Sequence, residues 1–273
     1  MPKLYIIGLG VYPDYLSLRG IEVLRKVSKI FVELYTSPIP YDTLKNILEK
    51  YVKDIHEKLE ILTRKDIEDE DCRKIIRELE KGEDVALLVP GDPMFATTHS
   101  IVRIIVKKRG FESEVIHGVS ILNAVISLLG LSPYRFGPVA TIVYPRLNVL
   151  PERAYDVTLE NLKRSLHTLL LLDIRDDGGF MTASEAIEIL RVLEGKRREG
   201  VFIDDRVIIV LERVGFPDQK VHILTLGEAR EISYGEPPHS IVVPGRLNPV
   251  EQDLLHVEFG ADYEILQKAG LLL

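Results

Sequence analysis

The stretch VALLVPGDPMFATTHS, Val85–Ser100, ends a run of apolar residues with a proline-rich turn before a helical pattern begins. Short apolar runs that stop at glycine or proline are typical of buried strands. Pro90 and Pro93 restrict the backbone and Gly91 allows a sharp turn, so this turn is predicted to be stiff. It carries one acid, Asp92. Because ligands of open α/β sheets bind beyond the carboxyl ends of the strands, the turn is a candidate binding loop.

Three more runs of this kind occur in the first half of the chain, at Lys3–Gly10, Lys29–Leu34 and Ser113–Gly118. Helical patterns lie between them, and Ser17 is placed to cap the first of these helices. Strands that alternate with helices indicate a parallel sheet covered on both faces. We therefore predict an N-terminal α/β domain over residues 1–137 with a mainly parallel sheet.

The second half has five strand-like runs, which are ATIVYP, TLLLLDI, RVIIVLERVG, KVHILTLG and HSIVVPG. Two helical patterns separate the first three runs, whereas only loops separate the last three. Some of these strands must then be antiparallel, which predicts a mixed sheet. The stretch Ser132–Pro138 contains two prolines and a glycine, which are typical of a linker. The second α/β domain is accordingly predicted over residues 138–273.

Composition narrows the possible functions of the chain. It has 273 residues, of which 46% are hydrophobic, a net charge of −7 and one cysteine, Cys72. The acidic balance argues against nonspecific binding of nucleic acid, which needs a basic surface. No apolar run is long enough to cross a membrane and the first ten residues do not resemble a signal peptide, so we expect a cytoplasmic protein.

Several familiar catalytic motifs are absent from the sequence. The IGLG turn, Ile7–Gly10, has Pro13 where a dinucleotide fingerprint needs its third glycine. The chain has neither a phosphate-binding GxxxxGK[ST] loop nor a GxSxG elbow, and its seven histidines form no HExxH zinc motif. We therefore expect no metal site. Stiff strand ends without a nucleophile–base pair suit chemistry that is carried by a bound cofactor.

The individual side chains leave alternatives open. Asp92 could accept a hydrogen bond from a bound amine or hydroxyl, or could only cap the turn that follows it. Ser120 could cap a helix whose neighbouring N–H groups hold a ligand, or could act as a cap alone. A single histidine such as His239 is more often structural than catalytic. No residue stands out as a general base, so no catalytic residue is assigned.

A set of motifs in this order resembles the diphthine synthase family, which belongs to the tetrapyrrole (precorrin-type) methylase superfamily. The resemblance covers nearly the whole chain. Its motifs are LYIIGLG, VPGDPMFATTH, HGVSILNAV, YRFG, LHTLLLLDI, MTASEA and PPHSIVVPGRL.

The resemblance implies a two-domain α/β enzyme that binds S-adenosylmethionine in a cleft between its domains and works as a homodimer. Its protein substrate would be translation elongation factor 2, on a histidine that already carries a 3-amino-3-carboxypropyl group. The amino group of that side chain would be methylated, in archaeal members to the trimethyl state called diphthine. A nearby alternative is a methylase of corrinoid or sirohaem precursors, and a more distant one is a noncatalytic binding module.

The resemblance also implies which residues contact the cofactor. They are taken from the GLG turn, the GDPMF loop, the GVSI turn, the LHTLLLL strand, the VLERV strand and the PPH turn. In this sequence they are Val11, Asp92, Phe95, Ser120, Ile121, Leu172, Val214 and His239.

Overall fold

The computed structural model describes residues 1–147, 149–175 and 177–270. By their internal contacts these residues form two compact units, Met1–Ile121 and Leu122–Leu273. The predicted linker, Ser132–Pro138, lies inside the second unit. A domain boundary after Gly137 therefore stays a prediction beside the division that the contacts give.

The first unit is built on a five-stranded parallel sheet with strand order β3-β2-β4-β1-β5. All five residues of β4 are buried, as expected of a parallel strand covered on both faces. The prediction of a mainly parallel sheet is confirmed. The strands are β1 (Lys3–Gly8), β2 (Lys29–Glu33), β3 (Leu59–Leu62), β4 (Val85–Val89) and β5 (Glu112–Ile116).

The edge strand β3 was not predicted from the sequence. It has only four residues, and its inner positions, Glu60 and Ile61, are less buried than Leu59 and Leu62 at its ends. A strand so short and partly polar lacks the long apolar run that indicated the other strands.

Helices of the first unit cover its sheet. Ser17 caps the first of them as predicted, because its Oγ accepts a hydrogen bond of 3.1 Å from the N–H of Gly20. The last one, α6, has Lys107 and Lys108 in its final turn, where positive charge suits the helix dipole. The helices are α1 (Leu18–Leu24), α2 (Tyr41–Glu49), α3 (Ile55–Lys58), α4 (Arg64–Glu68), α5 (Arg73–Glu80) and α6 (Ser100–Lys108).

The second unit contains a five-stranded mixed sheet with strand order β6-β7-β10-β8-β9. Strands β6 and β7 are parallel, whereas β10 is antiparallel to both β7 and β8, and β9 is antiparallel to β8. The predicted mixed sheet is confirmed. Its strands are β6 (Ala140–Ile142), β7 (Thr168–Leu172), β8 (Val207–Glu212), β9 (Lys220–Thr225) and β10 (His239–Val243).

Helices pack against this sheet and follow it at the end of the chain. Thr182 and Asn248 each begin a helix with a capping box, in which side chain and backbone exchange hydrogen bonds across the first turn. The helix α7 (Ile121–Leu129) begins where the two units divide. The others are α8 (Arg153–Lys163), α9 (Ala183–Arg197), α10 (Leu226–Ala229), α11 (Pro249–Phe259) and α12 (Tyr263–Lys268).

A buried charge cluster anchors the predicted linker within the second unit. The carboxylate of Glu251 accepts the N–H of Ser132 at 3.0 Å and lies 3.4 Å from Nε2 of His167 and 3.5 Å from Arg135. Burial by itself would raise the pKa of Glu251, but the nearby side chain of His167 and the hydrogen bonds from Asn248 and Ser132 outweigh it and lower that pKa to about 2. Glu251 thus remains charged and holds the linker to α11.

Candidate functional site

Three glycines bring the carboxyl ends of adjacent strands of the first unit into close contact. A Cβ atom on Gly8, the last residue of β1, would lie 2.5 Å from the carbonyl oxygen of Gly91 and 2.6 Å from the amide nitrogen of Gly118. A Cβ atom on Gly118 would lie 2.3 Å from the same oxygen. A larger residue at Gly8 or Gly118 would force the ends of β1, β4 and β5 apart, so these two positions require glycine.

The turns after β1 and β4 are also joined by hydrogen bonds. Gly10 donates to the carbonyl oxygen of Gly91 at 3.1 Å, and Gly91 donates back at 2.8 Å. Both residues have positive φ angles, of 77° and 68°, which glycine adopts without strain. Val11 follows this pair directly and is half-buried. The stiffness predicted for the proline–glycine turn thus has a second source, its pairing with the first turn.

Asp92 ties the turn after β4 to the turn after β5. Its Oδ1 accepts the N–H of Met94 at 2.9 Å, which is the turn-capping alternative that the sequence left open. Its Oδ2 lies 2.9 Å from Nδ1 of His117 and 3.4 Å from the amide nitrogen of Gly118. Because β1 lies between β4 and β5 in the sheet, Asp92 spans two strands that are not neighbours.

The other predicted residues of the first unit lie on these same turns. Phe95 donates its N–H to the carbonyl oxygen of Asp92 at 3.2 Å and is half-buried. Ser120 is buried and directly precedes Ile121, the first residue of α7. Val11, Asp92, Phe95, Ser120 and Ile121 are therefore assembled at one edge of one sheet.

Sequence reasoning missed a buried pair of titratable groups beside this edge. Glu33, the last residue of β2, and His99, just before α6, are both fully buried, with Oε1 and Nε2 3.7 Å apart. Burial raises the pKa of Glu33 to about 7, although hydrogen bonds from Thr36 oppose it. Burial also lowers the pKa of His99 to about 4. The signal in the sequence was an acid inside an otherwise apolar strand, KIFVEL.

In the second unit, the strand register brings the other three predicted residues to one edge. Strands β7 and β8 run in the same direction on either side of β10, so their carboxyl ends flank the amino end of β10. Leu172 ends β7, Val214 follows β8, and His239 begins β10. Leu172 is half-buried, while Val214 and His239 are buried.

His239 is held in one orientation by its surroundings. Its Nδ1 accepts the N–H of Ala183 at 3.0 Å, and its Nε2 lies 3.8 Å from Oε2 of Glu212. Burial lowers the pKa of His239, which favours the neutral ring. Glu212 in turn lies 2.5 Å from Nε2 of His222. These contacts satisfy the structural alternative for His239, and its role as a cofactor contact stays a prediction.

The structure gives two further facts about possible function. Within the described ranges, no group of three or more His, Cys, Asp or Glu side chains is arranged to hold a metal ion. Over the same residues, no helix is both long enough and apolar enough to span a membrane.

Comparison with known proteins identifies the group to which the chain is related. Residues 3–230 match the family model of the tetrapyrrole (corrin/porphyrin) methylases. The diphthine synthase of Pyrobaculum islandicum is 43% identical over 251 residues, which cover 92% of this chain and 97% of the relative. That of Methanocaldococcus jannaschii is 39% identical over 256 residues, covering 92% of this chain and 97% of the relative.

A solved structure gives the same result from the fold. A crystal structure of diphthine synthase superposes with a TM-score of 0.83 at 31% identity, and the match covers 99% of this chain and 100% of the other. Sequence and fold therefore agree over almost the full length of both proteins. The chain belongs to the tetrapyrrole (corrin/porphyrin) methylase family and, within it, groups with the diphthine synthases.

Proposed function

We propose that this protein is a diphthine synthase, a methyltransferase of diphthamide biosynthesis that uses S-adenosylmethionine. Its substrate is the 3-amino-3-carboxypropyl-modified histidine of translation elongation factor 2, whose amino group it methylates to the trimethyl state. The observation that carries the proposal is the 43% identity to a curated diphthine synthase over 92% of this chain. An identity of this size over both full lengths favours a shared substrate as well as a shared fold.

The first unit has features that fit S-adenosylmethionine. Gly91 has no atom within 4 Å of the position of a Cβ, so a ligand can approach its backbone closely. The side chain of Phe95 offers an apolar surface to an adenine ring or a methylene chain. The first N–H groups of α7, beside Ser120 and Ile121, suit the carboxylate of the cofactor. These features support Val11, Asp92, Phe95, Ser120 and Ile121 as cofactor contacts.

The contacts of Asp92 suggest how it would contribute to binding. Both of its carboxylate oxygens are already engaged by the N–H of Met94, by His117 and by Gly118. We therefore propose that it acts mainly by fixing the loop, and that backbone atoms of the loop bind the cofactor. The negative charge of Asp92 would also favour a cationic ligand nearby.

Leu172, Val214 and His239 are proposed as the cofactor contacts that the second unit supplies. The support for them is the resemblance of their motifs and their gathering at one edge of the mixed sheet. Because His239 is locked by Ala183 and faces Glu212, we expect it to offer its backbone and a rigid ring rather than to exchange a proton.

In the proposed reaction the main task of the protein is to align the methyl donor with the acceptor amine. When bound, S-adenosylmethionine supplies a methyl group on a positively charged sulfur. The acceptor amine attacks the methyl carbon in line with the carbon–sulfur bond, and the neutral thioether leaves. The turns after β1, β4 and β5 would bind this donor, exclude water and keep the amine nitrogen about 3 Å from the methyl carbon. Backbone carbonyl groups at strand ends suit the positive charge that moves from sulfur to nitrogen.

We further propose that the protein acts as a homodimer in the cytoplasm and that its partner is the elongation factor. A stretch that could meet this protein substrate is Glu33–Asp42, which runs from the buried last residue of β2 to the start of α2 and contains Tyr35 and Tyr41. The full-length match to diphthine synthases supports the choice of partner.

A direct assay tests the proposed function against both alternatives. Radiolabelled S-adenosylmethionine would be offered together with either modified elongation factor 2 or a uroporphyrinogen-type acceptor. We expect label on the factor alone. Transfer to the tetrapyrrole would favour a methylase of corrinoid or sirohaem precursors, and transfer to neither acceptor would favour a binding module.

A further inference from the structure

One titratable side chain at the carboxyl edge of the first sheet combines an acid partner with exposure to solvent. His117 directly follows β5, and its side chain is 78% exposed. Its Nδ1 lies 2.9 Å from Oδ2 of Asp92, whose own side chain is 16% exposed. The neighbouring pair Glu33 and His99 is fully buried, so its side chains cannot exchange protons freely with a substrate.

The contact with Asp92 fixes which nitrogen of His117 can accept a proton. An ionised carboxylate only accepts hydrogen bonds, so Nδ1 of His117 must donate to Oδ2 of Asp92. In the neutral ring the lone pair therefore lies on Nε2. Among the described residues, no hydrogen bond or ion pair engages this nitrogen.

The backbone around His117 is as constrained as its ring. The next residue, Gly118, has no room for a Cβ atom against Gly8 and Gly91, so the backbone is closely packed here. Oδ1 of Asp92 is held by the N–H of Met94. The His117–Asp92 pair is thus preorganised by two turns, and of the described acids only Asp92 lies within ion-pair distance of this ring.

From this geometry we propose that Nε2 of His117 is the proton acceptor for the substrate amine, with Asp92 as the residue that orients it. The inference rests on the proposed function, and it assigns a role to a histidine that lies outside the predicted set of cofactor contacts.

A proton acceptor is needed because the substrate is an ammonium ion near neutral pH and has no lone pair. In the proposed step an N–H bond of the ammonium breaks and an Nε2–H bond forms, which leaves a neutral amine and a positively charged imidazolium. The carboxylate of Asp92 stabilises that positive charge through Nδ1. Because the ring is exposed, the proton then passes to water and the neutral base is restored before the next methylation.

The test compares His117→Gln and His117→Ala with the unaltered protein in single-turnover transfer from labelled S-adenosylmethionine. Both changes remove the titrating ring from an exposed position, so the fold should persist, and circular dichroism checks this. We expect the rate at neutral pH to fall roughly 100-fold, as is typical for loss of a general base. The affinity for S-adenosylmethionine, measured by calorimetry, should change less than about threefold, because the ring acts on the amine.

Two readouts distinguish a proton acceptor from a merely structural residue. Added imidazole should restore part of the rate of His117→Ala, and the deficit of both variants should shrink as the pH rises and the free amine becomes deprotonated without help. The matched control is His56→Gln, which changes another exposed histidine with an acid partner, Glu49, on a different part of the unit. We expect it to leave the rate unchanged.

Each outcome of the comparison has a separate meaning. A full rate in both His117 variants, or a loss that neither imidazole nor alkaline pH relieves, would overturn the role of His117 and leave the proposed function intact. No transfer by the unaltered protein would instead overturn the proposed function and this inference with it.

Discussion

Oε1 of Glu33 lies 3.7 Å from Nε2 of His99, and both side chains are fully buried in the first unit. Burial raises the pKa of Glu33 to about 7 and lowers the pKa of His99 to about 4. Folding therefore favours a proton on the acid and disfavours one on the histidine. Glu33 contributes stability that is lost as pH rises from about 4.5 to 7, and His99 contributes stability that is lost as pH falls from about 6.5 to 4.

Between pH 5 and 6.5 these two effects oppose each other, so the variant Glu33→Gln should reveal the effect of His99 alone. We expect the free energy of unfolding of the variant to rise more steeply with pH than that of the unaltered protein, by about 1.4 kcal/mol per pH unit. Urea unfolding at several pH values measures this slope. The exposed Glu49→Gln serves as the control, and parallel curves for the unaltered protein and Glu33→Gln would contradict the assignment.

The glycine contacts at the strand ends predict a strong effect of one added methyl group. Gly118→Ala should lower the free energy of unfolding by about 1–3 kcal/mol, because its Cβ would lie 2.3 Å from the carbonyl oxygen of Gly91. Gly195→Ala is the matched control, since Gly195 lies inside α9 and has no atom within 4 Å of its Cβ position. It should stabilise the protein by about 0.5–1 kcal/mol. Denaturant unfolding measures the free energy of unfolding of both variants, and equal effects of the two substitutions would argue against the close contact.

Asp92→Ala should weaken the binding of S-adenosylmethionine at least tenfold, which is about 1.4 kcal/mol. The change removes the acceptor for the N–H of Met94 and for the N–H of Gly118, so the loop loses its fixed shape. Asp92→Asn, which keeps an oxygen for Met94, should have an intermediate effect. Isothermal calorimetry measures the affinity, with Asp253→Ala on α11 as the control. An unchanged affinity in Asp92→Ala would remove this residue from the proposed site.

The buried carboxylate of Glu251 predicts sensitivity to acid. Its pKa is lowered to about 2 from an ordinary 4.5, so it contributes about 3 kcal/mol of stability above pH 4.5 that is lost as the pH falls toward 2. Glu251→Gln should therefore be less stable at pH 7 and should lose less stability between pH 5 and 3. Unfolding curves at these pH values provide the measurement, with the exposed Glu258→Gln on the same helix as the control. Equal losses of stability between pH 5 and 3 in the unaltered protein and in Glu251→Gln would contradict this role of Glu251.

The fold could be predicted largely because apolar runs mark buried strands. Every strand with such a run was found, from Lys3–Gly8 to His239–Val243, and the predicted antiparallel pairing in the second sheet is confirmed. The prediction that only loops separate the last three strands was wrong, because the short helix α10 lies between β9 and β10. The edge strand β3 escaped because four partly polar residues carry no periodic signal. The contacts of Glu251 with Ser132 and His167, which hold the predicted linker within the second unit, join residues distant in sequence and could not be predicted from it.

The candidate site could be predicted only in part from the sequence. Strand ends follow from the sequence pattern, so the turns that carry Val11, Asp92 and Ser120 were foreseeable. The partners of each side chain depend on strand order, which local sequence does not encode. The tie from Asp92 to His117 across β1 and the pairing of Glu33 with His99 therefore emerged only from the folded structure.

Mass spectrometry of elongation factor 2 tests whether this protein methylates the modified histidine. The factor, carrying the 3-amino-3-carboxypropyl group on its histidine, is incubated with this protein and S-adenosylmethionine. We predict that the modified peptide gains mass in steps of one methyl group and reaches the trimethyl form, and that factor without the 3-amino-3-carboxypropyl group gains none. A modified peptide of unchanged mass, in the presence of correctly folded protein, would show that this protein is not a diphthine synthase.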